Sequence, residues 1–104
     1  MTDWLAGRAE DFSEGCRKIL TAGEREVVVL QVQGSFHAYE NLCMHMGGPV
    51  GEGTIITKDA ELYLVCPVHG WRYNAATGVC ATDERLTLNK YPVVEREGSI
   101  YVVT

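Results

Sequence analysis

A chain of 104 residues and 11.5 kDa, 46% hydrophobic and 22% charged, has the size and composition of one small globular domain, expected to span residues 1–104. This excludes a multidomain enzyme and a disordered chain. Nine Lys and Arg against 14 Asp and Glu leave a formal charge of −5, with the acids spread along the chain, so nucleic acid is not an expected partner.

Met1-Thr2-Asp3-Trp4 lacks the basic start and the following apolar stretch of a secretory leader. The longest apolar runs, Val27 to Leu30 and Leu62 to Cys66, fall far short of the roughly 20 residues of a membrane helix. The expectation is a cytoplasmic protein without a membrane partner.

In chain order, Leu5 to Glu10 is the first of two places that could host a helix, too short to stand without tertiary support. Val27-Val28-Val29-Leu30-Gln31-Val32 and Phe36-His37-Ala38-Tyr39 flank Gln33-Gly34, a tight hairpin in which glycine supplies positive φ. Thr54-Ile55-Ile56 and Leu62-Tyr63-Leu64-Val65 enclose a polar turn at Thr57-Lys58-Asp59-Ala60. Asp83 to Leu86 is the second, weaker helix candidate. Val93-Val94-Glu95-Arg96 and Ser99-Ile100-Tyr101-Val102-Val103 flank Glu97-Gly98 in another hairpin. Pro49, Pro67 and Pro92 fall in loops or at element edges. The expected fold class is all-β, a small antiparallel sandwich or barrel.

Two loops carry the chemistry. Cys43-Met44-His45 runs into Met46-Gly47-Gly48-Pro49, and Cys66-Pro67-Val68-His69 runs into Gly70-Trp71. In a reducing compartment such cysteines point to metal or redox chemistry rather than disulfides. Two thiolates and two imidazoles suit a tetrahedral zinc ion, or a two-iron cluster with the cysteines on one iron and the histidines on the other. Zinc modules pair like ligands, whereas each loop here mixes one of each, an arrangement that fits two chemically different irons.

At these residues the sequence resembles the Rieske iron–sulfur family, with its C-x-H and C-x-x-H loops. The resemblance implies one [2Fe-2S] cluster per chain, with Cys43 and Cys66 on the inner iron and His45 and His69 on the outer one. It also implies a cluster-binding subdomain formed by the two loops, at about residues 41–80. Phe36 to Asn41 looks like the family's strand into the cluster. His69-Gly70-Trp71-Arg72-Tyr73 with Ala76-Thr77-Gly78 resembles the oxygenase-associated branch.

The sequence departs from the respiratory members of that family at three points. Gly48 and Val68 stand where those proteins have the cysteines of a loop-linking disulfide, and Trp71 stands where they have a serine donor to a bridging sulfide. Tyr73 retains a phenol at the second donor position. The spacer Met46 to Val65, 20 residues, is longer than the family's usual, with the excess placed in the Thr57–Ala60 turn, away from the metal. Fewer donors to sulfur predict a potential near the low end, about −150 mV, of the Rieske span.

Other residues carry weaker signals. Gly47, Gly48 and Gly70 serve turns and let backbone N–H groups approach sulfide. Met44, Met46, Pro49, Pro67, Val68 and Trp71 would form an apolar rim that shields the cluster or docks a partner. His37 reads as a structural or exposed strand residue, and Cys16 and Cys80 as buried or free thiols.

The family and the small size together imply a one-electron carrier, a Rieske-type ferredoxin, not an enzyme alone. Its expected partners are a flavin-dependent NAD(P)H reductase and a terminal oxygenase. The alternatives are a small Rieske subunit of a larger, nitrite-reductase-like enzyme and a zinc-stabilised interaction module.

Overall fold

The computed structural model describes residues 2–44, 48–68 and 70–104. Among the described residues ten strands follow one another: β1 Asp3–Arg8, β2 Arg17–Ala22, β3 Arg25–Val32, β4 Ser35–Glu40, β5 Thr54–Lys58, β6 Glu61–Val65, β7 Arg72–Asn74, β8 Lys90–Tyr91, β9 Val93–Arg96 and β10 Ser99–Val103. Short 3-10 turns occupy Ala9–Asp11 and Val50–Glu52. Strand pairing is antiparallel, in three sheets ordered β1-β10-β9, β2-β3-β4-β8 and β5-β6-β7.

The apolar run of β3 explains the layering. Val27, Val28, Val29 and Leu30 are all fully buried, as a strand covered on both faces requires. Successive side chains alternate between faces, so Val28, Leu30 and Val32 join Tyr39, Leu64 and Tyr73 in one core, while Val27 and Val29 join Ala38, Ile100 and Val102 in another. The four-stranded sheet is therefore the middle layer, and the β5-β6-β7 sheet covers the face that leads to the cysteine loops.

The hairpins at Gln33-Gly34 and Glu97-Gly98 form as expected, with φ of 50° and 81° in the first and 51° and 80° in the second. Two positive φ values match the turn twist that lets flanking strands pair. The third hairpin differs from expectation, because Thr57 and Lys58 are strand residues paired with Leu62 and Glu61. Only Asp59 and Ala60 turn, at φ 53° and 66°. This turn lies at the end of the hairpin opposite Val65, which leads into Cys66.

Neither helix candidate is a helix. Residues 5–8 belong to β1, whose Trp4 and Ala6 pack into the core while Leu5 stays 61% exposed; pairing with β10 holds the strand, with a register shift between Leu5 and Gly7 that leaves Ala6 out of the ladder. Ala9 to Asp11 then form a 3-10 turn. Asp83 to Leu86 make a single turn, closed by Leu86 N–H donating to Asp83 O at 3.0 Å. The Asp83 carboxylate accepts from Arg85, which holds its pKa down at about 2. Strands β1, β2, β7 and β8 were not legible in the sequence. Among the described residues no helix is long and apolar enough to cross a membrane.

Candidate metal centre

The two cysteine loops leave neighbouring layers and meet. The first follows β4, and Cys43 N–H donates across it to Gly48 O at 2.7 Å. The second follows β6, and Cys66 N–H donates across it to Trp71 O at 2.8 Å, with Gly70 N–H returning to Cys66 O at 2.9 Å. Each cysteine thus closes its own loop onto the residue five positions later. Both side chains are buried, Cys43 3% and Cys66 1% exposed, and both belong to the same core as Tyr73 and Leu64.

Glycine makes the contact between loops possible. A Cβ on Gly48 would lie 2.5 Å from Val68 Cγ2 and 3.2 Å from Cys66 Sγ. A Cβ on Gly53 would lie 1.7 Å from Val65 O. Gly53 is extended at φ −79°, so close approach rather than a special dihedral requires glycine there. Gly48 and Val68 are neighbours across the loops, joined by packing where a disulfide would need two cysteines.

Tyr73, fully buried on β7, reaches the first loop. Its hydroxyl lies 3.2 Å from Cys43 Sγ and accepts the Met44 N–H at 3.0 Å. Either group can donate in the thiol form; towards a thiolate, which has no hydrogen, the phenol is the donor. Burial first, then the hydrogen bond and charge of Cys43, push the phenol well above its ordinary range, so it stays protonated. Tyr39 is held protonated by burial and donates to Ala75 O at 2.9 Å. Gly78, at φ +80°, lies where a Cβ would stand 2.8 Å from the Tyr39 ring.

His45 and His69, expected as ligands, lie outside the described residues, as do Met46 and Gly47. Of the expected rim, Met44 is 40% and Val68 49% exposed, Pro67 is exposed, and Pro49 and Trp71 are half-buried. Leu42, 43% exposed, adds to that apolar surface. Cys80 is buried opposite Tyr73, and Cys16 is half-buried. His37 lies on β4, stacked on Tyr39 at 6.4 Å. Asn41 was not singled out by the sequence, yet it ties the base of the first loop: its Oδ1 accepts from Gly51 N–H at 2.6 Å.

Two buried thiols on packed loops, with a phenol beside one of them, are a donor set that suits a soft metal centre; the described residues by themselves bring no third His, Cys, Asp or Glu side chain to it. Residues 3–92 match the Rieske [2Fe-2S] domain. The chain belongs to this family, and the cofactor of the family is a [2Fe-2S] cluster. Two buried soft sulfur donors on packed loops fit the sulfur side of such a cluster.

A Rieske domain-containing protein of Homo sapiens is 36% identical over 72 residues, 69% of this chain; the chain spans 46% of that relative's length. Several further relatives are named as ferredoxin components of oxygenase systems. A chain in the complex of reduced oxygenase and oxidised ferredoxin in carbazole 1,9a-dioxygenase superposes with a TM-score of 0.81, at 28% identity, covering 96% of this chain and 91% of that one. A Mycobacterium tuberculosis protein described as an NADH-dependent nitrite reductase small subunit shares the fold at a TM-score of 0.80 and 21% identity, covering 97% of this chain and 93% of that one. The relatives named as ferredoxin components support an electron-carrier role.

Proposed function

We propose that this chain is a Rieske-type ferredoxin that passes single electrons from a flavin-dependent NAD(P)H reductase to a terminal oxygenase. Cys43, His45, Cys66 and His69 hold its cluster within a subdomain of about residues 41–80. The observation that carries the reading is the packing of two loops, each with a buried cysteine, through Gly48, which lies against Val68 and Cys66 Sγ. When bound, the cluster supplies the one-electron redox chemistry. The chain's own residues exclude water from the thiols, offer the Tyr73 hydroxyl to Cys43 Sγ, and surround the loops with exposed Leu42, Met44 and Val68. An apolar rim of this kind suits a partner that covers the centre during transfer.

The purified protein is tested by its absorption before and after dithionite, electron paramagnetic resonance of the reduced sample, and iron, sulfide and zinc analysis. Two irons, two sulfides and a rhombic reduced signal, lost in Cys43→Ala, Cys66→Ala, His45→Ala and His69→Ala, are expected. Reduction by NADPH or NADH through a flavin reductase, followed by oxygenase turnover, completes the assignment. A colourless protein with one zinc overturns it. The fold shared with the nitrite reductase small subunit supports a second reading, a small subunit of a larger reductase, which a large co-purifying redox chain would decide.

A further inference from the structure

Asn41 is a buried polar side chain, 6% exposed, where β4 ends and the first cysteine loop begins. Its backbone N–H donates to Glu26 O at 2.9 Å, extending the β3–β4 ladder by one bond. The side chain then bridges two elements. Nδ2 donates to Glu26 Oε1 at 2.8 Å, and Oδ1 accepts from Gly51 N–H at 2.6 Å. Only a group with a donor and an acceptor serves both partners, and the opposite amide orientation would serve neither.

The receiving position is shaped for it. A Cβ on Gly51 would lie 2.9 Å from Asn41 Oδ1 and 2.9 Å from Val28 Cβ, so glycine brings the 3-10 turn down onto the middle sheet. The loop between residues 41 and 51 is therefore shut at its base by Asn41 and, inside that closure, by Cys43 N–H on Gly48 O. Glu26, on β3, anchors the outer end of the clamp.

We propose that Asn41 is a positioning residue: acting through Gly51 and Glu26, it holds the first loop closed so that Cys43 keeps its place against the cluster. The inference rests on the reading that Cys43 is a cluster ligand. A loop released at its base regains conformational freedom, and the cluster is lost faster without any ligand being changed.

The test uses the holoprotein, following cluster absorbance with a chelator present, the reduced-state paramagnetic signal, and denaturant unfolding. Asn41→Ala is expected to bleach about tenfold faster, the order that loss of a buried hydrogen bond produces. Glu26→Gln keeps an acceptor for Asn41 and should bleach at the wild-type rate. Asn41→Asp sets two carboxylates against each other and should bleach fast. Asn41→Asp combined with Glu26→Gln restores the bond with donor and acceptor exchanged, and should return to within about twofold of wild type.

Wild-type bleaching in Asn41→Ala, or a double variant as labile as Asn41→Asp, overturns the inference. So does a double variant that recovers the denaturant midpoint but not the bleaching rate, because Asn41 would then serve the fold alone. Should the single variants fail to fold, a folded, cluster-bearing double variant supports the clamp and an unfolded one overturns it. A wild-type signal in Cys43→Ala would sink the ligand assignment instead, whereas loss there with Asn41→Ala unchanged sinks only the clamp.

Discussion

At the residue scale, Tyr73 and His37 show what burial does to a titratable side chain. The Tyr73 hydroxyl receives the Met44 amide and would give its hydrogen to a Cys43 thiolate, favouring the more negative, reduced state of a centre held there. The wild-type potential is expected near the low end of the Rieske span, about −150 mV, and Tyr73→Phe is expected to lower it further, on the order of tens of mV. A redox titration checks both values, and an unchanged potential in the variant would remove Tyr73 from the tuning of the centre.

The His37 imidazole is held below its ordinary range, first by burial and then by the Lys90 ammonium. The folded state therefore binds a proton there less readily than the unfolded chain does. The resulting stability is full above the unfolded value of about 6.5 and is lost as pH falls from there towards the lower folded value. In His37→Gln that dependence disappears. Unfolding free energies of the two proteins, measured from pH about 8 to about 5, should therefore converge as pH falls; a constant gap would contradict the shift.

At the scale of elements, two glycines make opposite demands. Gly53 has an extended backbone, but a methyl group would land 1.7 Å from Val65 O, a backbone atom that cannot swing aside. Gly34 has φ +81° and nothing within 4 Å of a Cβ. Gly34→Ala should cost about 1–2 kcal/mol, the left-handed penalty alone. Gly53→Ala should cost about 3 kcal/mol or more and separate the loops, with loss of the cluster. Denaturant unfolding of both variants checks the order, and equal costs would show that the loop contact relaxes freely.

Three hairpins were legible because turn chemistry is local: Gln33-Gly34 and Glu97-Gly98 advertise their positive dihedrals, whereas the β2–β3 hairpin at Gly23-Glu24 was missed with its strand β2. Asp59-Ala60 was read as part of a longer turn, since alanine at φ 66° is not a turn signal. Residues Leu5 to Glu10 read as a possible helix because six residues are too few to separate periods of two and 3.6. The partner that settles the matter, β10, arrives about 90 residues later.

At the scale of the molecule, the formal charge of −5 is joined by a local feature. Glu24, Arg25, Glu26 and Glu40 line a groove that also touches exposed Leu42, beside the first cysteine loop; Arg25 pairs with Glu40 at 2.8 Å, which leaves Glu24 and Glu26 as its excess negative charge. An electron partner with a basic rim would be steered towards this side. The association rate with such a reductase or oxygenase is expected to fall steeply as salt rises past about 0.1 M, measured by stopped-flow reduction. A salt-independent rate would assign recognition to the apolar rim of Leu42, Met44 and Val68 alone.

The sequence by itself determined the β class, three of the hairpins and the family to which its two Cys/His loops point, because turn preference, strand alternation and ligand chemistry are written in short stretches. Tertiary structure alone decided that β3 is covered on both faces and that Gly53 must be bare to admit Val65. It also decided that Asn41 reaches Gly51 and Glu26, and that the Tyr73 phenol meets Cys43 sulfur. Each of these depends on the distance between residues far apart in the chain, and that distance is set by how three sheets stack around two cores.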